Sequence, residues 1–219
     1  MFPVLQHLAC NEPLLPNLKT LRLLPTAADF IPFILFFVSP RTTHIDIGLD
    51  AFNPPKALFA SMIAILSILC PRLQHIGLHQ LPRDPMITAA VSEFLLATDQ
   101  NTLRSLCVDS PLTEEAREVI SKLPDLRRLT VVTEKDASLP SLVLPSLTHL
   151  VIKGDHDGGS LQMFHGAALK KLKSVSFFVS EQIGDFLGAF GRAALALSAQ
   201  NTLSEFCLYT APPHRDLLR

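Results

Sequence analysis

The chain lacks the marks of several function classes. Its 19 Lys+Arg nearly balance 20 Asp+Glu, the formal net charge is -1, and no basic stripe runs along it. Nucleic acid and anionic membrane surfaces are therefore not expected partners. The one tight basic cluster, Lys170, Lys171 and Lys173, reads as a solvated helix end. Four cysteines, Cys10, Cys70, Cys107 and Cys207, are scattered, with no CxxC pair and no zinc spacing. No signal-peptide pattern follows Met1, and no Asn-x-Ser/Thr sequon occurs. A reducing, intracellular compartment, cytoplasmic or nuclear, is expected. The most apolar run, residues 57–70, spans 14 positions and includes Ser61 and Ser67. A membrane span needs roughly 20 apolar residues, so a soluble chain with a buried helix over residues 54–70 is expected. A GxSxG elbow, a glycine-rich phosphate loop and an HExxH helix are all missing. The expectation is a non-enzyme without a cofactor. No linker or low-complexity tract divides the chain.

What is present is a repeat. "LPNLKTLRLL" at residues 15–24, "LPDLRRLTVV" at 123–132 and "LPSLTHLVIK" at 144–153 share the core L-x-x-L-x-L. Leu18, Leu21 and Leu23 fill it first; Leu126, Leu129 and Val131 fill it again, as do Leu147, Leu150 and Ile152. With other aliphatics allowed, further copies begin at Leu73, Leu103, Leu172 and Leu203, and weaker ones at Leu5 and Thr42. Successive copies lie 13 to 31 residues apart, close to the leucine-rich period of about 20–29 residues. "QNTLRSLCVD" and "QNTLSEFCLY" lie 100 residues apart and share Gln-Asn-Thr-Leu and a cysteine.

The fourth and sixth positions alternate with polar ones, which places them on one face of a short strand. One such strand cannot bury its leucines alone; stacked in parallel, the units build a continuous core. Pro16, Pro71, Pro124 and Pro145 precede the units and are expected to stop the preceding segment and lead the chain extended into the strand. The intervening segments read as helices. Asp84-Pro85 is a helix start, with Ile87, Val91, Phe94 and Leu95 on one face. Thr113 caps a second, striped by Ala116, Val119, Ile120 and Leu123. Ser180 opens a third, with Ile183, Phe186, Leu187 and Phe190 at its inner face. The fold expected is α/β: a single leucine-rich-repeat solenoid over residues 1–219, about nine irregular repeats, a right-handed β-α superhelix with a parallel concave sheet and outer helices.

This pattern resembles leucine-rich-repeat proteins over almost the whole chain. The regular subfamily carries Asn or Cys three residues after the sixth position; here those sites hold Thr26, Leu81, Pro111, Glu134 and Asp155, which points to the irregular type. "FPVLQHLACNEPLLPNLKTLRLL", "FIPFILFFVSP" and "LCPRLQHIGL" are similar to the repeat regions of fungal F-box proteins. The resemblance implies substrate recognition for a ubiquitin ligase. No F-box precedes the first repeat, which begins at Phe2, so a fragment, a degenerate relative and a stand-alone module are all open. Neither end reads as a polar cap.

The third, fifth and seventh positions of each unit face the concave surface. A protein partner is expected there, on Arg22, His44, Asp46, His75, His79, Asp109, Arg128, His149, Lys153, Phe178 and Tyr209, with Arg22, Arg128, Phe178 and Tyr209 as the side-chain types that anchor interfaces. His44, Asp46, His75 and His79 fall on neighbouring strands, where imidazole and carboxylate suit zinc; without a supporting cysteine or carboxylate shell, a solvated surface and no metal are expected. "GDHDGGS" at residues 154–160 fails the calcium-loop pattern, because the twelfth position from Asp155 is Gly166. Cys107 and Cys207 face the same surface with no obvious base beside them and are expected to be inert. A self-associating scaffold and an unrecognised metal protein or enzyme are the alternative functions.

Overall fold

Each L-x-x-L-x-L unit becomes a tight turn followed by a strand. The computed structural model describes residues 13–26, 31–49, 56–81, 84–99, 101–133, 143–154, 169–179 and 202–210. The chain is α/β and divides into two compact units, Met1–Ala116 and Arg117–Arg219. The first holds β1 (Thr20–Thr26), α1 (Ile31–Phe37), β2 (His44–Leu49), α2 (Lys56–Leu69), β3 (His75–His79), α3 (Pro85–Ala97) and β4 (Ser105–Val108). Helix α4 (Glu114–Ile120) follows in sequence, and the second unit holds β5 (Arg128–Thr133), β6 (His149–Gly154), β7 (Ser174–Val179) and β8 (Glu205–Thr210). Within each unit the strands are parallel and neighbours in chain order. Among the described residues, no helix is long and apolar enough to cross a membrane.

The repeat is visible in the burial. Leu73, Ile76, Leu78, Leu103, Leu106 and Val108 are buried in the first unit; Leu126, Leu129, Val131, Leu147, Leu150, Ile152, Leu172, Val175 and Phe177 are buried in the second. The hydrogen bonds repeat too. The carbonyl one residue before a strand accepts two N–H groups from the next repeat: Lys19 from Thr43 and His44, Thr43 from Gln74 and His75, Thr148 from Lys173 and Ser174, Lys173 from Ser204 and Glu205. Hydroxyls add to this ladder. Thr42 Oγ1 donates to Leu18 O (3.0 Å), Thr102 Oγ1 to Leu73 O (2.9 Å) and Thr148 Oγ1 to Arg127 O (2.9 Å). A carbonyl has two lone pairs, and burial makes it costly to leave them unmet. These threonines tie repeat to repeat within each unit, at positions where no asparagine ladder runs.

Three expectations are corrected. Pro16, Pro71, Pro124 and Pro145 lie inside the turns, not in extended lead-ins; a fixed φ near -65° suits the second position of a turn, and Leu18 N donates to Leu15 O across one of them. Helix α2 is not buried all round. Phe59, Met62, Ile63 and Leu66 point inward, while Leu58, Ile65 and Ile68 are exposed, Ile68 by 76%. Lys170 and Lys171 are exposed on the turn before β7, not on a helix.

The helix over Pro85–Ala97 forms as read. Asp84 accepts from Met86 N (2.9 Å), and Ile87, Val91, Phe94 and Leu95 are buried. Thr113 Oγ1 accepts from Ala116 N at the start of α4, and Ala116, Ile120 and Leu123 are buried. Helix α1 was not expected from periodicity; its Ile34 is buried and its Phe33 is half exposed. The helix expected from Ser180, the repeat at Leu5 and the loop at residues 155–160 lie outside the described residues.

Candidate functional site

Parallel pairing lines up equivalent positions of successive units, about 4.8 Å apart. In the first unit the fifth-position row reads Arg22, Asp46, Gly77, Cys107, and the third-position row reads His44, His75, Ser105. Because alternate residues share a face, these rows lie together on the side of the sheet opposite the buried leucines. His44, Asp46, His75, His79, Cys107 and Asp109 are all partly exposed there.

The rows are not independent. His79 reaches back over Gly77, and its Nε2 meets Asp46 Oδ1 at 2.7 Å. Gly77 leaves the space for this. A β-carbon on it would collide with Asp46 Oδ1 and stand 2.9 Å from His79 Nε2. The other carboxylate oxygen, Asp46 Oδ2, is held by Arg22 Nε at 3.1 Å. On its far side, His79 Nδ1 faces Cys107 Sγ at 3.6 Å and Asp109 Oδ2 at 3.8 Å. Asp109 is anchored by its own N–H, which donates to Leu78 O (2.9 Å), and its Oδ2 accepts from Gln80 N (3.4 Å). Gln80 has a φ of 55°, a left-handed conformation that costs a non-glycine residue roughly 1–3 kcal/mol. That backbone turn aims the amide at Asp109. Hydrogen bonding to Asp109, then to Cys107 and Asp46, pushes His79 up to about 10 against the opposing effect of burial.

His44 and His75 do not join this cluster. Their rings stack at 4.0 Å between centroids with 13° between planes, and Thr43 Oγ1 lies 2.8 Å from His44 Nδ1. Burial lowers the pKa of His44. The zinc-type quartet read from the sequence thus splits into a stacked pair and an Asp46–His79 pair. Cys107, expected to stand without a base, has His79 beside it. Cys70 is a different case: burial pushes its thiol up to about 12.

The second unit shows other chemistry on the same positions. Its seventh-position row reads Val132, Lys153, Phe178, Tyr209. Phe178 and Tyr209 stack at 4.4 Å with 13° between planes, and both are exposed, 39% and 48%. Lys153 Nζ stands 5.9 Å from the Phe178 centroid, within reach of a cation–π attraction. Arg128 is exposed at the head of β5, and His149 beside it meets Thr148 Oγ1 at 2.8 Å.

A thiol, an imidazole and a carboxylate in line occur both in nucleophilic cysteine sites and in metal sites whose histidine is oriented by a carboxylate. The second carboxylate, Asp109, separates the two. With it, three donors, one each from His79, Cys107 and Asp109, lie within 4.8 Å of one another. No family model matches the chain, and no curated protein or solved structure matches it.

Proposed function

We propose that the chain is an irregular leucine-rich-repeat module that binds a protein partner on the open face of its sheet and is not an enzyme. The observation that carries this reading is the exposed Phe178–Tyr209 stack beside Lys153. Stacked aromatics on a rigid sheet offer a large apolar anchor at little entropic cost, and tyrosine is enriched among the residues that dominate interface energetics. The resemblance of the repeats to those of fungal F-box proteins supports a wider role in recognising substrates for a ubiquitin ligase.

The test is comparative capture from cell extract with the wild-type chain and the Phe178→Ala/Tyr209→Ala double variant, read by quantitative mass spectrometry. A partner held by the wild type and lost by a folded double variant supports the reading, and a ligase adaptor in the wild-type set supports the wider role. Identical captured sets would remove the aromatic pair from the interface.

A further inference from the structure

We infer that His79, Cys107 and Asp109 form a binding site for a zinc-class divalent transition metal, with Asp46 as the residue that orients the histidine. The inference is independent of the protein-binding reading. It starts from the donor set. An imidazole nitrogen, a thiol sulfur and a carboxylate oxygen lie within 4.8 Å of one another. Nitrogen and thiolate sulfur together select zinc and its neighbours over calcium or magnesium, which prefer oxygen.

The spacings fit an ion. Zinc binds nitrogen at about 2.0–2.1 Å and sulfur at about 2.3 Å, so a tetrahedral site sets those donors about 3.6 Å apart, and nitrogen and carboxylate oxygen about 3.4 Å apart. The observed separations are 3.6 Å for Nδ1 to Sγ and 3.8 Å for Nδ1 to Asp109 Oδ2. The third edge, from Cys107 Sγ to the Asp109 carboxylate, lies within 4.8 Å, so the Asp109 side chain has to swing toward the sulfur to reach the tetrahedral spacing of about 3.5 Å. Three protein ligands leave the fourth corner to water or to a group brought by a partner.

The surroundings fit as well. A metal-ligating histidine almost always gives its other ring nitrogen to a carboxylate or carbonyl, which sets the tautomer and the ring plane. Here Nε2 is bound to Asp46, and Asp46 is braced by Arg22. Nδ1 is thereby turned toward Cys107 and Asp109. His79 and Cys107 stand on adjacent strands and Asp109 directly follows β4, so the donors sit on a rigid frame. Gly77 keeps open the path by which the ring reaches Asp46.

The experiment uses the full chain, reduced and stripped with chelator, and titrated with Co²⁺. One equivalent is expected to raise a thiolate-to-cobalt charge-transfer band, and Zn²⁺ is expected to remove it. Cys107→Ser should abolish the band. Asp46→Asn should keep it and weaken the metal about 10- to 100-fold; unchanged affinity would remove the orienting role. A wild-type chain with no thiolate band, or the same band in Cys107→Ser, would overturn the site. A second measurement needs no variant. Alkylation followed by peptide mass spectrometry should show Zn²⁺ protecting Cys107 and leaving Cys207 unprotected. Equal labelling of Cys107 with and without Zn²⁺ would overturn the assignment.

Discussion

In Met1–Ala116 the open face of the sheet is polar and tied together: Arg22 meets Asp46, Asp46 meets His79, and His79 meets both Cys107 and Asp109. In Arg117–Arg219 the corresponding face carries the exposed, stacked Phe178 and Tyr209, with Lys153 partly exposed beside them. The backbone beneath is the same, a parallel sheet on a leucine core. Two rows differ: the seventh position holds His79 and Asp109 in the first unit and Lys153, Phe178 and Tyr209 in the second, and the fifth position differs as well. Where the first unit has Gly77, the second has Val151 and Ser176 at the same position of the repeat. With no side chain at Gly77, His79 folds back along its strand and pairs with Asp46 across the gap. In the first unit the glycine makes room for the Asp46–His79 link of the network.

The largest expected effect breaks the core under the second face. Phe177→Ala, at a fully buried position, should cost about 3–5 kcal/mol. Its neighbour Phe178→Ala, on the open side, should cost less than about 1 kcal/mol. Chemical denaturation of the two variants reads the contrast, and similar losses would mean that the strand alternation is wrong.

Next comes the glycine itself. Gly77→Ala would push Asp46 and His79 apart. The charge-assisted bond between them is partly exposed, so a loss of roughly 1–2 kcal/mol is expected. Ser176→Ala, at the equivalent row position, should fall within about 0.5 kcal/mol of the wild type. Equal effects would remove the distinction drawn between the two faces.

A third test uses pH. The folded pKa of His79 is raised from 6.5 to about 10. Its contribution is therefore fully present below pH 6.5 and is lost as pH rises through about 10. Asp84 works at the other limb. The Lys56 ammonium and the Met86 amide lower its pKa from 3.8, so its contribution is present above 3.8 and lost as pH falls through the folded value. The melting-temperature gap between Asp109→Asn and the wild type should narrow toward the alkaline end; a constant gap from pH 6 to 10 would contradict the role given to His79.

The smallest effect is chemical. In the native chain, Cys107 and Cys207 should alkylate, while buried Cys70, pushed up to about 12, should react only on unfolding. Peptide-resolved labelling rates check this order.

Much of the fold could be read because the repeat is written in side chains that alternate. Leucines at the fourth and sixth positions cannot lie on opposite faces of a strand, so the core and the outward rows followed together. Asp84-Pro85 announced α3 for an equally local reason. Helix α2 misled because its apolar residues run all round, and composition does not say that Ile65 and Ile68 face outward. In the site, Asp46 and His79 could be placed on neighbouring strands from repeat position alone. The tie to Cys107 could not. It depends on His79 turning back over a residue without a side chain and on Gln80 holding Asp109, both of which are matters of reach, not of pattern.

The most direct test of the central claim, that pairing in register gathers Asp46, His79, Cys107 and Asp109 at one point, is an NMR titration of the histidine rings in the metal-free chain. The account predicts that His79 keeps its proton to about pH 10, while His44 titrates below the ordinary value of 6.5. A His79 ring that titrates near 6.5 would show that its two carboxylates and the thiol are not where the fold places them.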